Sequence, residues 1–329
     1  MLPPVAAAHT PHDAIFDVAL SSQYPDDRVV FTLVRSSVYR SDDGGATWRR
    51  LIHGLDHKHT LFDFDVADDG RTLFVTSLGD GVYRSGDGVA TWAKANTGLA
   101  TLNVDQVLIA EGAPDVVLAS GTTGGVFMTR DGGGRWQRLD GPFGKATALA
   151  FLPQRDDALL VGDNDGGLYL SEDGGASWRP LALPEQAGAV TAIALAPDAA
   201  EDPTLIVGTK SGRVFVAADP GSTLAPAETA FTDQPIVAVA LSPGFAADGV
   251  AFATAWDDGV FCSRDGARTW ELCIDGLTTD HQSQQLGRPS FGALSVSSGF
   301  ATDQTVLVGG FDGLFRSTDG GRDWEELDT

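Results

Sequence analysis

Short apolar runs, alternating or β-branched, recur along the chain between clusters of Gly, Pro and Asp. They do not follow the three- and four-residue spacing of a helix with one buried face, so strands are predicted throughout. In one unit, residues 236–241, 250–255, 260–263 and 269–273 read as four successive strands, A to D. An eight-residue A-to-B connection at 242–249 is matched by another at 297–304, and the B-to-C hairpins carry Asp80-Gly81, Gly166-Gly167, Asp258-Gly259 and Asp312-Gly313.

The same phrase closes most units. Ser41-Asp42-Asp43-Gly44-Gly45-Ala46-Thr47-Trp48 returns, near-complete, ending at Trp92, Trp136, Trp178, Trp270 and Trp324. Between the fourth and fifth clear copies, Ala217-Ala218-Asp219-Pro220-Gly221-Ser222-Thr223-Leu224 keeps Asp, Gly and Thr but has lost Ser and Trp. Counting it as a decayed copy gives final positions 48, 92, 136, 178, 224, 270 and 324, a period near 44. That period suits a four-stranded propeller blade. The expected architecture is all-β: one seven-bladed β-propeller with four antiparallel strands per blade. Its blades fall at about 13–52, 60–97, 102–140, 145–183, 189–228, 235–275 and 290–328, with the repeated phrase in the C-to-D turn.

The phrase S-x-D-x-G-x-T-W resembles the Asp-box (BNR) repeat, and the resemblance covers nearly the whole chain. Proteins sharing it include sialidases, the paired propellers of xyloglucan-cleaving glycoside hydrolases, sortilin-type receptors and assembly factors of the YCF48/HCF136 type, the last similar in size and blade number. The resemblance implies the fold, and it implies function only weakly, because one fold hosts many unrelated sites. In the box, Ser41 and Asp43 have short side chains suited to bonding nearby backbone N–H groups, Gly45 can take positive φ, and Trp48 offers an apolar plate. The box aspartates Asp87, Asp131, Asp173, Asp265 and Asp319 are therefore read as turn formers rather than calcium ligands.

Charge narrows the partners. Lys plus Arg is 22 against 45 Asp plus Glu, a formal net charge of -23. That sign opposes nucleic acid and anionic membranes, and no apolar stretch is long enough for membrane insertion. A basic or cationic surface on a protein partner is the expected complement. The start of the sequence lacks the basic region and apolar run of a secretion signal, and a cytoplasmic setting is expected. In that setting Cys262 and Cys273, on the C and D strands of blade 6, are expected to be reduced.

Strand direction puts the D-to-A and B-to-C connections on one face, here the top, and the A-to-B turns and boxes on the bottom. The bottom turns repeat an acid, at Asp27, Asp69, Asp115, Asp157, Asp202, Asp248 and Asp303, which reads as turn chemistry. On the top, Asp163, Asp165, Asp257, Asp258 and Asp312 are candidate binding residues, and Trp256 beside them could stack on a sugar or anchor a partner. All six histidines fall on top-face connections of blades 1, 2 and 7: His9, His12, His53, His57, His59 and His281. Imidazoles converging from several loops suit a transition metal, so these six are the candidate metal ligands. The long connection at 276–290 is a candidate lid or partner-contact loop.

The enzymes sharing the box can be weighed by their chemistry. The sialidase resemblance would require an arginine triad and a tyrosine nucleophile. Here Tyr24 is on a bottom turn, Tyr39, Tyr83 and Tyr169 are on C strands beside their boxes, and the top-face arginines Arg35, Arg213 and Arg288 form no recognisable triad. The leading expectation is a non-enzymatic binding or assembly propeller engaging a protein partner through its top face. The alternatives are a metal-dependent enzyme using the histidines and a carboxylate-pair glycoside hydrolase, with carbohydrate as ligand.

Overall fold

The computed structural model describes residues 14–56, 58–88, 91–184, 187–197, 203–228, 231–277 and 290–328. Seven four-stranded antiparallel sheets, each built from four consecutive strands, form a seven-bladed β-propeller. The inner strands are Ile15–Leu20, Leu61–Val66, Val104–Ala110, Ala146–Leu152, Val190–Leu195, Ile236–Leu241 and Phe291–Val296. In blade 6 the other three are Ala251–Ala255, Gly259–Ser263 and Glu271–Leu272, so the outermost is shorter than the sequence pattern predicts. Outer strands of two or three residues leave little free edge for another chain to pair with.

Burial follows strand position. Second strands such as Val30–Val34 and Leu73–Ser77 are buried at every residue because neighbouring blades cover both faces. Near the axis, where blades converge, small residues such as Ala146, Ala148 and Ala150 fill the taper. The A-to-B connections of blades 6 and 7, which the pattern predicts as turns, each wind into one helical turn, Phe245–Asp248 and Phe300–Asp303, and bury the leading phenylalanine.

The box works as a hydrogen-bonded knot. Asp43 accepts from Ser41 Oγ (2.7 Å), Thr47 N (2.8 Å) and Thr47 Oγ1 (2.6 Å), while Ser41 Oγ accepts from Gly45 N (2.8 Å). The Thr47 and Ser41 hydroxyls hold the Asp43 carboxyl down at about 2, and Asp173 lies at about 2 through Ser177. Gly45 has φ +94° and presses on blade 7, where an added Cβ would lie 2.8 Å from Leu327 Cδ1. The box tryptophans of blades 2, 3, 4 and 7 staple their blade to the one before: Trp92 Nε1 donates to Leu51 O (3.2 Å), Trp136 to Ala95 O (2.6 Å), Trp178 to Asp140 O (3.1 Å) and Trp324 to Cys273 O (3.1 Å), whereas Trp270 bonds within its own box, to Ala267 O (3.1 Å).

No sheet borrows a strand from another, and among the described residues the ring closes by packing. Ile15, Val18 and Val34 of blade 1 meet Ala293, Leu307 and Leu314 of blade 7. Leu20 N donates to Ser295 Oγ (3.1 Å), and Arg316 Nη1 donates to Gly44 O (2.7 Å). Cys262 and Cys273 are joined as a disulfide across the outer strands of blade 6, correcting the reduced pair expected from the sequence. Antiparallel pairing of Cys262 with Glu271 leaves the two Cα atoms 6.0 Å apart, within disulfide range.

Candidate functional site

Inner strands present one unpaired edge to the central channel, and side chains of neighbouring blades satisfy several of its amides. Asp63 Oδ2 accepts from Val107 N (2.7 Å) and Asp65 Oδ2 from Ile109 N (2.7 Å), joining blade 2 to blade 3. Asp17 of blade 1 reaches Phe64 N of blade 2 (3.4 Å) and shares a side-chain hydrogen bond with Asp63. Thr147 Oγ1 of blade 4 and Thr191 Oγ1 of blade 5 serve carbonyls of the next blade instead, donating to Val190 O (2.5 Å) and Ile236 O (2.6 Å). All three acids are half-buried on this inner edge. Burial raises Asp17 to about 6 and Asp65 to about 7, and burial together with the Asp17 charge raises Asp63 well above the carboxylate range. Asp17 and Asp63 therefore hold a proton between them at mildly acidic pH.

The channel widens at the top into a cavity of about 360 Å³ lined by Phe62, Asp105, Gln106, Lys145, Thr191 and Val237, among others. Lys145 Nζ lies 3.2 Å from Asp105 Oδ2, so the cavity offers a paired cation and anion beside an aromatic ring.

Around this mouth the B-to-C hairpins reuse one device. Asp163, buried, accepts from Gly144 N (3.0 Å), Asp165 N (3.0 Å) and Gly167 N (2.7 Å). Asp258, also buried, accepts from Thr232 N (2.8 Å) and Thr232 Oγ1 (2.9 Å), and Asp312 accepts from Ser290 N (3.0 Å). Each carboxylate thus ties its hairpin to the incoming connection from the preceding blade. Asp165 is exposed and Asp257 half-buried at φ +51°, so these two of the predicted acids face solvent. Trp256 stands 41% exposed, with Phe311 of blade 7 edge-on at 5.6 Å.

Of the histidines, His9, His12, His57 and His281 lie outside the described residues, as does most of the 276–290 connection. His53 is exposed, and its carbonyl accepts from Trp92 N (2.9 Å). His59 Nδ1 contacts Leu78 O (3.1 Å). The potential ligands that the described residues gather within 4.8 Å are Asp56, His59 and Asp80 rather than several histidines. Asp80 already receives hydrogen bonds from Lys94 Nζ and Tyr83 Oη. Burial opposes ionisation of Asp80, but these bonds win and hold its carboxyl below the usual range, so a lysine stands where a metal would supply charge. Tyr83 lies on a C strand beside its box, as expected, and its hydroxyl reaches the top hairpin.

The sequence reading missed Asp17, Asp63 and Asp65, and with them Phe62, Leu102 and Phe311. Together with Trp256, the last three are the exposed large hydrophobics among the described residues, each 41–44% exposed. All four lie on the top: Phe62 at the start of an inner strand, Leu102 on a D-to-A connection, and Trp256 and Phe311 on B-to-C hairpins. The available signal was phenylalanine or tryptophan at positions where other blades carry Asn164 or Lys210.

The profile of the sortilin family (Sortilin-Vps10; neurotensin receptor 3) matches residues 80–207, and that of the BNR/Asp-box repeat matches residues 39–50. A search of curated proteins returned no match. Among solved structures, an ancestral GH74 enzyme superposes with TM-score 0.74 at 16% identity, covering 96% of this chain and 46% of the enzyme. The GH74 enzyme of Niastella koreensis gives 0.73 at 15% identity, covering 98% and 55%. The chain thus spans about half the length of these enzymes. YCF48 bound to D1 peptide gives 0.67 at 16% identity, covering 94% of this chain and 93% of YCF48. The chain is an Asp-box β-propeller, similar to sortilin-type and YCF48 propellers, and at these identities the likeness establishes fold alone.

Proposed function

We propose that the chain is a non-enzymatic binding propeller whose top face takes a segment of a protein partner. The carrying observation is that Phe62, Leu102, Trp256 and Phe311, the exposed large hydrophobics among the described residues, all lie on the top face, with Trp256 and Phe311 in contact. Clustered exposed apolar side chains mark interaction sites, and aromatics are the usual anchors. The peptide-bound YCF48 neighbour supports a peptide as the form of ligand. With a net charge of -23, approach favours a partner with basic residues flanking its apolar anchor, and binding weakens with salt.

The backbone and hydroxyl donors that hold Asp163 and Asp258 speak against using them as catalytic carboxylates, leaving Asp165, Asp257 and Asp312 to a glycan reading. A metal-dependent enzyme would draw on Asp56, His59 and Asp80, and Lys94 weighs against it.

Cross-linked pull-down with wild type and a Trp256→Ala/Phe311→Ala double variant tests the proposal. The double variant, still folded, should lose about tenfold of the recovered partner. An unchanged set of recovered proteins, or turnover of a glycan by the wild type, would overturn it. Stoichiometric transition metal that is lost in a His59→Ala variant would transfer the site to the metal reading.

A further inference from the structure

On the bottom face an arginine crosses five of the seven seams between blades and reaches the glycine that follows the aspartate of the next box, which in blade 1 is also covered by its own Arg28. Measured from where a Cβ on that glycine would stand, Arg40 Nη1 lies 3.9 Å from Gly88, Arg84 Cζ 3.5 Å from Gly132, Arg130 Nη2 3.2 Å from Gly174 and Arg264 Nη1 3.9 Å from Gly320. The fifth arginine, Arg316, donates to Gly44 O, as Arg264 Nη2 does to Gly320 O (3.1 Å). Arg130 also binds Asp156 through its carbonyl (3.2 Å) and its Oδ2 (3.1 Å). These arginines occupy one of two places, just before or just after the first residue of the box.

In blade 5 those two places hold Val216 and Ala218. The receiving box of blade 6 is intact, yet among the described residues nothing lies within 4 Å of a Cβ placed on Gly266. Val216, Ala218 and Gly266 instead line a cleft of about 940 Å³, with Asp248, Asp265 and Glu228 on its walls. Arg264 and Arg268 also line the cleft; Arg264 is turned away onto Gly320 O and Glu271 in the next seam, and Arg268 is exposed at the rim.

We infer that this cleft binds an arginine side chain carried by a segment of a partner protein, its guanidinium covering Gly266 as the chain's own arginines cover the other boxes. A planar guanidinium suits the carboxylates on the walls of this cleft, where an ammonium is a poorer match. The cleft is larger than one side chain and can seat flanking backbone as well. The site is on the face opposite the aromatic cluster and stands independently of it.

Titrating ¹⁵N-labelled protein with the blocked peptide acetyl-Gly-Gly-Arg-Gly-Gly-amide tests the inference. Amide shifts should centre on Gly249, Gly266 and Ala267, with the lysine peptide and free L-arginine each binding at least about fivefold more weakly. Val216→Arg or Ala218→Arg, each filling the cleft from within, should weaken peptide binding about tenfold, whereas Trp256→Ala/Phe311→Ala should leave it unchanged. Shifts centred elsewhere, equal binding of the lysine peptide, or undiminished binding by a folded arginine variant would overturn the site. Equal binding of free arginine would overturn the partner segment. If neither arginine variant folds, the location of the shifts and the arginine-to-lysine ratio in the wild type decide.

Discussion

Replacing Asp63 with Asn tests the shared proton in the channel. An ionised pair at this place is disfavoured because burial and mutual repulsion both act against the second charge. Asparagine keeps an oxygen for Val107 N and presents an amide donor to Asp17, supplying permanently what the proton supplies at low pH. A carboxyl raised in the folded state contributes stability that is fully present below its unfolded value and lost as pH rises toward the folded one. For Asp17 that window runs from its ordinary 3.8 up to about 6. At about 1.36 kcal/mol per pH unit the ceiling is about 3 kcal/mol, and water in the channel reduces it to about 1–2 kcal/mol. Urea unfolding near pH 4.5 and pH 7.5 should show wild type losing stability with rising pH. The Asp63→Asn variant should be comparable to wild type at the lower pH and about 1–2 kcal/mol more stable at the higher one, the shared background of histidines and net charge cancelling in the difference. A difference between the two proteins that does not change with pH would refute the shared proton.

Other outcomes follow from the same contacts. Gly45→Ala should cost about 2–4 kcal/mol, since it adds a clash with Leu327 to an unfavourable backbone, whereas Gly266→Ala at the open cleft should cost only the backbone penalty of about 1 kcal/mol, measured as denaturant midpoints. Asp258→Ala should destabilise by about 1–3 kcal/mol through loss of the Thr232 bonds, while Asp257→Ala should stay within about 0.5 kcal/mol. Asp43→Ala should lower the thermal midpoint at neutral pH but progressively less as pH falls toward about 2, because a depressed carboxyl stabilises above its unfolded value and that contribution disappears on protonation.

The ring was legible because its cause is local. Ser41, Asp43, Gly45 and Trp48 recur in a near-constant phrase, and Ser41 and Asp43 form their knot with neighbours a few residues away. Even the decayed copy could be recognised, since Asp219 still accepts from Gly221 N (2.6 Å) and Ser222 Oγ (2.5 Å). The channel acids were not legible for the opposite reason. In Leu61–Val66 the alternation Phe-Asp-Phe-Asp reads as a strand with a wet face, whereas those aspartates bond to amides 44 residues further on. The top-face aspartates lie on B-to-C hairpins, but the bonds that Asp163, Asp258 and Asp312 accept from Gly144, Thr232 and Ser290 depend on connections whose course the pattern does not specify. The disulfide depended in the same way on strand register.

Because every sheet is woven from one uninterrupted stretch of sequence, damage to a single module stays where it arises. The loss of Ser, Trp and arginine in blade 5 opens one crevice, while Leu224 still plugs the gap left by the tryptophan and the circle remains whole. Such a design lets one sector drift toward a new surface while six others keep the disc rigid.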